Sequence, residues 1–438
     1  MSKARSTSYA GYAVLLLLLA NIANYGQRML VASLLPSIKA DVGLTDAQLG
    51  ILMGGAFAVC YAIAGVPLAR FAERHGRVRW LAIAVAFWSL ATGFFGLART
   101  FSQMLLARVA LGTGQSVCIP TSHSLLGDYV KPANRPFALG VHSAGGVVGA
   151  TLAMVVGGYL GGQLGWRNTL ALFAVSGAAL AGVIALTLPD PAHAAATPSS
   201  EGAGLPLRAA IARLVVVRSY VLVLISVCFA MLVEYGLNQW LPSYYVREFS
   251  LSVETVGLRY GIAIAVGGIP GTVLGGLVAA SLARRDVRWL VWFPALMYVV
   301  AIPIGLAMLL SPSADVAFVL NACYALLIYG TSGALWGACF VHVPAALRAT
   351  TSAITLLVAG IAGLAVGPVL VGAVSESLAP RLGNQALQIS LVAVECLAVL
   401  VVVPLVLASR FVARERLSVN NSLQRPASQC VSAESGVQ

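Results

Sequence analysis

Arg28 lies inside a run that otherwise has the composition of a membrane span. Residues 9–36 are mostly apolar and long enough to cross a bilayer, yet the second half reads Asn21-Ile22-Ala23-Asn24-Tyr25-Gly26-Gln27-Arg28. An arginine at the centre of a spanning helix costs roughly 2.5–3.5 kcal/mol on insertion scales unless it faces protein or water. Asn21, Asn24 and Arg28 follow at intervals of three and four, which puts them on one helical face. A guanidinium offers a planar fork of donors that stays charged, which suits a carboxylate, sulfonate or phosphate. The amides of Asn24 and Gln27 can add hydrogen bonds but carry no exchangeable charge. The same stripe could instead serve a helix–helix contact.

A second polar residue of this kind is Glu234, in Met231-Leu-Val-Glu-Tyr-Gly-Leu-Asn-Gln-Trp240, with Asn238 one turn later. A carboxyl in an apolar run can couple transport to a proton, form a structural pair, or sit solvated without a role. Arg108, Gln115 and Ser122 fall at intervals of seven, close to one face of a further run, and Tyr324, Tyr329 and Trp336 are polar-aromatic residues of another. His123 and His142 could relay protons or make helix contacts, and Glu395 is a carboxyl in the last run. The cysteines and histidines have no metal-ligand spacing, so neither a metal nor a cofactor is expected. Gly112-Thr113-Gly114 looks like half a nucleotide loop, but no strand precedes it, and close helix packing is the better reading. No catalytic triad or Walker loop is present.

The elements that must hold these residues follow from composition. Of 438 residues, 59% are hydrophobic and only 10% charged, against about 25% charged in a soluble domain. The expected class is an all-α integral membrane protein, because backbone groups in lipid must be satisfied within the segment. Twelve spans are expected, near 9–36, 48–70, 79–98, 102–127, 137–161, 168–188, 219–245, 255–281, 288–310, 315–340, 350–374 and 386–411. Placing the N-terminus inside puts nineteen Lys and Arg residues on the inner segments and six outside, so both termini are expected in the cytoplasm. The net charge of +12 follows from that bias and implies no nucleic-acid partner. Residues 189–217 contain a run rich in Pro, Ala, Ser and Gly, then basic residues. They are expected to form a cytoplasmic linker between six-helix halves at 1–188 and 218–411, with a disordered tail at 412–438.

Glu73-Arg74-His75-Gly76-Arg77-Val78-Arg79, between the second and third spans, resembles the acidic-Arg-x-Gly-Arg signature of the major facilitator superfamily. Arg108 with Gly112 and Gly114 is similar to its second motif, and Gly165-Trp166-Arg167 is also familiar from it. Asn24-Tyr25 with Arg28, Phe87 to Thr92, Trp240-Leu241-Pro242, Arg285 to Trp289, Arg348-Ala349-Thr350 and Gly367-Pro368 resemble the bacterial spinster-like branch and neighbouring organic-anion transporters. The resemblance implies a central cavity lined by spans 1, 4, 7 and 10, with Glu234 near Arg28. It also implies a conformational latch formed by Glu73, Arg74, Gly76, Arg77 and Arg79.

Several residues depart from the pattern. Gln27 and Gln115 stand where relatives often carry Asp and Glu, so both expected proton sites are amides. Ala280-Ser281 replaces an acidic-Arg pair, and the fifth span lacks the Gly-Pro of antiporters. The expectation is therefore a secondary transporter of the bacterial inner membrane, working by alternating access on a small amphipathic organic anion. It would use a proton gradient through Glu234, with Arg28, Asn24, Gln27, Gln115, Asn238, Tyr324 and Trp336 binding substrate. The alternatives are a spinster-like exporter of lysolipid or other amphipathic compounds, and an uncoupled facilitator. An enzyme or a sensor on this fold would need acid/base residues at one depth or a soluble domain, and neither is visible.

Overall fold

The computed structural model describes residues 7–131, 134–190, 214–340 and 348–424. Most of the expected linker and most of the tail, with Lys3, Arg5, Arg208, Arg213 and Arg425, lie outside the described residues. The chain folds into helices α1 (Thr7–Val42), α2 (Asp46–Gly50), α3 (Ala56–His75), α4 (Arg77–Leu97), α5 (Phe101–Gln115), α6 (Cys118–Tyr129) and α7 (Arg135–Thr187). Then follow α8 (Arg218–Phe249), α9 (Val253–Arg285), α10 (Trp289–Leu309), α11 (Ala314–Phe340), α12 (Arg348–Gly360), α13 (Gly367–Leu382), α14 (Ala386–Cys396) and α15 (Val399–Gln424).

Nine helical stretches among the described residues are long and apolar enough to cross a membrane. Two of them are double length, at Phe137–Thr187 and Ile354–Val412, and α5 with α6 makes a further interrupted run. The architecture is consistent with twelve crossings. The breaks have local causes. Gly165 bends α7 into two limbs at φ 77°, a conformation that favours glycine. The bend is held by its neighbours: Arg167 donates to the carbonyls of Gly96 and Ala98 at 2.9 and 2.8 Å and to Asp41 at 2.9 Å, and the Trp166 indole donates to Asp41 at 3.1 Å. Gly76 joins α3 to α4 at φ 101°, where the side chain of any other residue would be strained.

Two π-helical turns, Ile51–Gly55 and Ile361–Val366, meet where α2–α3 crosses α12–α13. Glycines let the two backbones touch: a Cβ on Gly50 would lie 2.6 Å from the Pro368 carbonyl, and one on Gly54 would run into the Leu364 carbonyl. Gly158 of α7 and Gly257 of α9 make the same kind of crossing, with a Cβ on Gly158 only 2.8 Å from the Gly257 Cα. Small residues at such crossings allow the close packing on which helix association in lipid depends.

Candidate functional site

Helices α1–α7 and α8–α15 form two groups, and a cluster of hydrogen bonds joins them at one end of the bundle. Asp46 is its centre. The residue is 6% exposed and takes both Arg247 Nη atoms at 2.9 Å, Lys39 Nζ at 2.6 Å and Ser375 Oγ at 2.7 Å. Beside it the Ala47 N–H donates to Glu376 at 2.9 Å, and Gln163 donates to Glu254 at 3.0 Å. A Thr45 capping box, closed by Gln48, fixes the start of α2 and so aims Asp46. Lys39 and Arg247 are two of the six basic residues assigned above to the outer segments, and Asp46 was not singled out there. The capping box and two acids between the first spans were the available signal.

At the opposite end the Glu73–Arg79 loop makes its contacts within its own group. Arg77 is buried and pairs with Asp128 and Ser124 of α6, while Asp190 accepts from the Val78 N–H at 3.3 Å. Glu73, Arg74 and Arg79 are exposed. No hydrogen bond or ion pair joins this loop to α8–α15 among the described residues.

Between the two ends, Arg28 is 3% exposed and has no carboxylate partner among the described residues. Its Nε donates to Gln115 Oε1 at 3.3 Å and its Nη2 to Asn24 Oδ1 at 3.1 Å. Gln115 and Asn24 also bond each other's main chain, Nε2 to the Asn24 carbonyl at 2.8 Å and Nδ2 to the Gln115 carbonyl at 3.3 Å. Three rings approach the guanidinium: Phe57 at 4.6 Å, Tyr25 at 4.7 Å and Tyr61 at 5.1 Å from Cζ. Phe57 and Tyr61 are one turn apart on α3 and stack on each other. Each such contact contributes about 0.5–2 kcal/mol. The cage therefore holds the cation without neutralising it. Phe57 and Tyr61 were missed in the sequence, although their i, i+4 spacing was a possible signal.

Two expected ligands face elsewhere. Gln27 turns away from Arg28: its amide donates to the Phe173 carbonyl at 2.8 Å and Ser89 Oγ at 3.4 Å and accepts from Thr92 at 2.9 Å, tying α1 to α4 and α7. Tyr324 directs its hydroxyl to Glu395 at 2.8 Å. Asn21 likewise leaves the expected stripe and donates to the His142 carbonyl at 2.7 Å. Arg108 spans into the π turn, donating to the Leu52 and Met53 carbonyls at 2.5 and 2.8 Å, and Gly112 lets α5 approach the Phe57 main chain. Gly114 lies against Phe87 and Trp88.

In the second group, Asn238 donates to Tyr329 Oη at 3.2 Å and accepts from Tyr260 at 3.0 Å. Glu234 and Trp336 are half-buried. Glu234 does not pair with Arg28. Its electrostatic neighbours are Tyr235, Tyr260, Tyr298, Tyr324 and Tyr329, and Tyr235 lies in the field of Arg28 as well. The geometry thus offers a caged cation in one group and a half-buried carboxyl in the other. It has no metal cluster among the described residues.

The profile of the Major Facilitator Superfamily matches residues 17–368. An MFS-type efflux pump of Mycolicibacterium smegmatis is 29% identical over 388 residues, covering 86% of each chain. A hexuronate transporter of Bacillus subtilis is 26% identical over 343 residues, 74% of this chain and 78% of that protein. The solved structure of a bacterial homologue of the human lysosomal transporter Spinster, in an inward-facing and unoccupied conformation, superposes with a TM-score of 0.85. It is 27% identical and covers 94% of this chain and 99% of its own. The chain belongs to the Major Facilitator Superfamily and is a multi-pass membrane transporter, not an enzyme.

Proposed function

We propose that the protein is a proton-coupled secondary transporter that takes up a small amphipathic organic anion across the bacterial inner membrane. The observation that carries this reading is Arg28: a buried cation held by two amides and three rings, with no protein counter-charge among the described residues. An anionic substrate supplies that charge and displaces the Gln115 and Asn24 bonds, which is the cheapest way to neutralise a buried guanidinium. Asn238 and Trp336 contact the apolar remainder from the second group. Glu234 is the proton-accepting group, since Gln27 and Gln115 cannot titrate. The hexuronate transporter among the relatives supports an organic anion.

The halves at 1–188 and 218–411 rock about this point, with residues 189–217 as the cytoplasmic linker and both termini in the cytoplasm, as the loop charge bias favours. The Asp46 end then faces outward and is sealed, and the Arg77 loop latches the opposite state. The likeness to an inward-facing relative supports this assignment. Uptake of radiolabelled organic anions into proteoliposomes, with and without an inward proton gradient, tests the reading. Gradient-driven uptake abolished by Arg28→Gln and uncoupled by Glu234→Gln is expected. Uptake indifferent to Arg28→Gln refutes the anchor.

A second reading, export of a lysolipid, is favoured by one feature: a crevice of about 270 Å³ between α1 and both limbs of α7, lined by Leu19, Ile22, Leu152 and Phe173. Lysolipid transport that survives Arg28→Gln would select it.

A further inference from the structure

We propose that the crevice between α4 and the second limb of α7 is a phospholipid site. It takes one acyl chain and holds a headgroup that bears both a phosphate and a primary ammonium. The site goes beyond the transport reading and does not depend on it. The two helices touch toward one end: a Cβ on Gly96 would lie 3.1 Å from the Arg167 carbonyl, and one on Gly93 would lie 3.3 Å from the Ala174 Cβ. Toward the Glu73–Arg79 loop they part and leave a crevice of about 530 Å³. A Cβ on Gly182, in its wall, would meet nothing within 4 Å. This crevice is separate from the one beside α1 described above.

The wall is small and apolar, with Ala82 and Ala86 on one side and Ala178, Ala181 and Ala185 on the other. Ile83 in the wall is 41% exposed, and Val183 and Leu186 beside it are 42% and 88% exposed. In a chain that spans the bilayer such a face meets hydrocarbon, so lipid reaches the crevice without any opening of the bundle. The lining runs from Val78 to Ala86 on α4 and from Ala178 to Leu188 along α7, about 12–15 Å at 1.5 Å per residue. The hydrocarbon core is about 30 Å thick, so the crevice is one leaflet deep and spans an acyl chain from headgroup level to the midplane. Its end at headgroup level is charged. Arg79 and Asp190 both line it and both are exposed, yet they do not pair with each other. Arg79 makes no hydrogen bond or ion pair among the described residues, and Asp190 accepts the Val78 N–H at 3.3 Å. An unpaired cation and anion over an apolar slot match a zwitterionic headgroup, with the phosphate on Arg79 and the ammonium on Asp190. A choline head has no N–H to give Asp190, and a glycerol head brings no cation. The bound lipid ties the Glu73–Arg79 loop to the end of α7.

The test uses the purified full chain in detergent. The probes are phosphatidylethanolamine, phosphatidylcholine and phosphatidylglycerol with identical acyl chains, read by native mass spectrometry and by melting temperature. The wild type should retain phosphatidylethanolamine about fivefold better than the other two and melt higher in its presence. Asp190→Asn, a change at an exposed side chain, should erase that preference and leave the lipid-free melting temperature in place. Gly182→Leu fills the slot and should lower retention of all three lipids about tenfold. Equal retention of the three lipids by the wild type overturns the proposal. So does a preference that survives Asp190→Asn, or a Gly182→Leu chain that binds lipid as the wild type does. No substrate or gradient enters this assay, so its outcome is read separately from that of the uptake experiment.

Discussion

Replacing Asp46 by Asn should open the end of the bundle that Asp46 now closes. The side chain keeps its size and loses its charge, so the perturbation is confined to the interaction energy. Asp46 accepts four bonds, two from Arg247 at 2.9 Å, one from Lys39 at 2.6 Å and one from Ser375 at 2.7 Å. Two of the donors, Arg247 and Ser375, belong to the opposite helix group. The Asp46 side chain is 7% exposed and Arg247 22%, so solvent screens the pair only in part. Hydrogen bonds involving charged groups are worth about 1.5–3 kcal/mol each and are not additive, and breaking a buried pair costs about 3–5 kcal/mol. Discounted for the exposure of Arg247, the closed state should lose roughly 2–3 kcal/mol, or about 30- to 150-fold in the closed-to-open ratio.

Spin labels at Arg99 and Asn384, both exposed and one on each group, report that ratio by pulsed dipolar spectroscopy in a cysteine-depleted background. The expected result for Asp46→Asn is growth of a longer-distance population at the expense of the short one. A distribution unchanged within about twofold would mean that the glycine crossings, not the Asp46 cluster, hold the end shut, and would refute the reasoning.

The glycine crossings yield a prediction with the opposite sign of steric cause: Gly257→Val should force α7 and α9 apart, shift the same label pair to longer distances and abolish transport in the uptake assay. Gln115→Glu puts a carboxylate where an amide now sits 3.3 Å from Arg28. It should weaken anion binding about 10- to 100-fold in a competition assay while leaving the melting temperature unchanged or raised. Arg77→Gln removes the bonds to Asp128 and Ser124 and should lower stability by about 1.5–3 kcal/mol, read as a fall in melting temperature in detergent. Arg108→Leu leaves the Leu52 and Met53 carbonyls without their donors, and should reduce the yield of monodisperse protein, since each orphaned buried group costs about 1–3 kcal/mol.

Parts of the site were legible because they are local. Asn24 and Arg28 are one turn apart, and the helix brings them to 3.1 Å. Gly76 and Gly165 mark turns that a sequence pattern can flag. Gln27 was misread because its spacing from Arg28 says nothing about which neighbour it meets. The packing of α4 and α7 against α1 captures its amide. Glu395 reads in the sequence only as a carboxyl of the last run, and tertiary packing brings the Tyr324 hydroxyl to it across 71 residues.

The sequence by itself determined that this protein is a bundle of membrane-spanning helices, since long apolar runs can satisfy their backbone in lipid in no other way. It also determined that a cation would have to be accommodated on the first helix. Only the tertiary structure decided what answers that cation and what closes the bundle. Gln115 reaches Arg28 across 87 residues and Arg247 reaches Asp46 across 201. Contacts at such separation depend on how helices cross and rotate, and hydropathy, which is nearly uniform around these helices, leaves that rotation open.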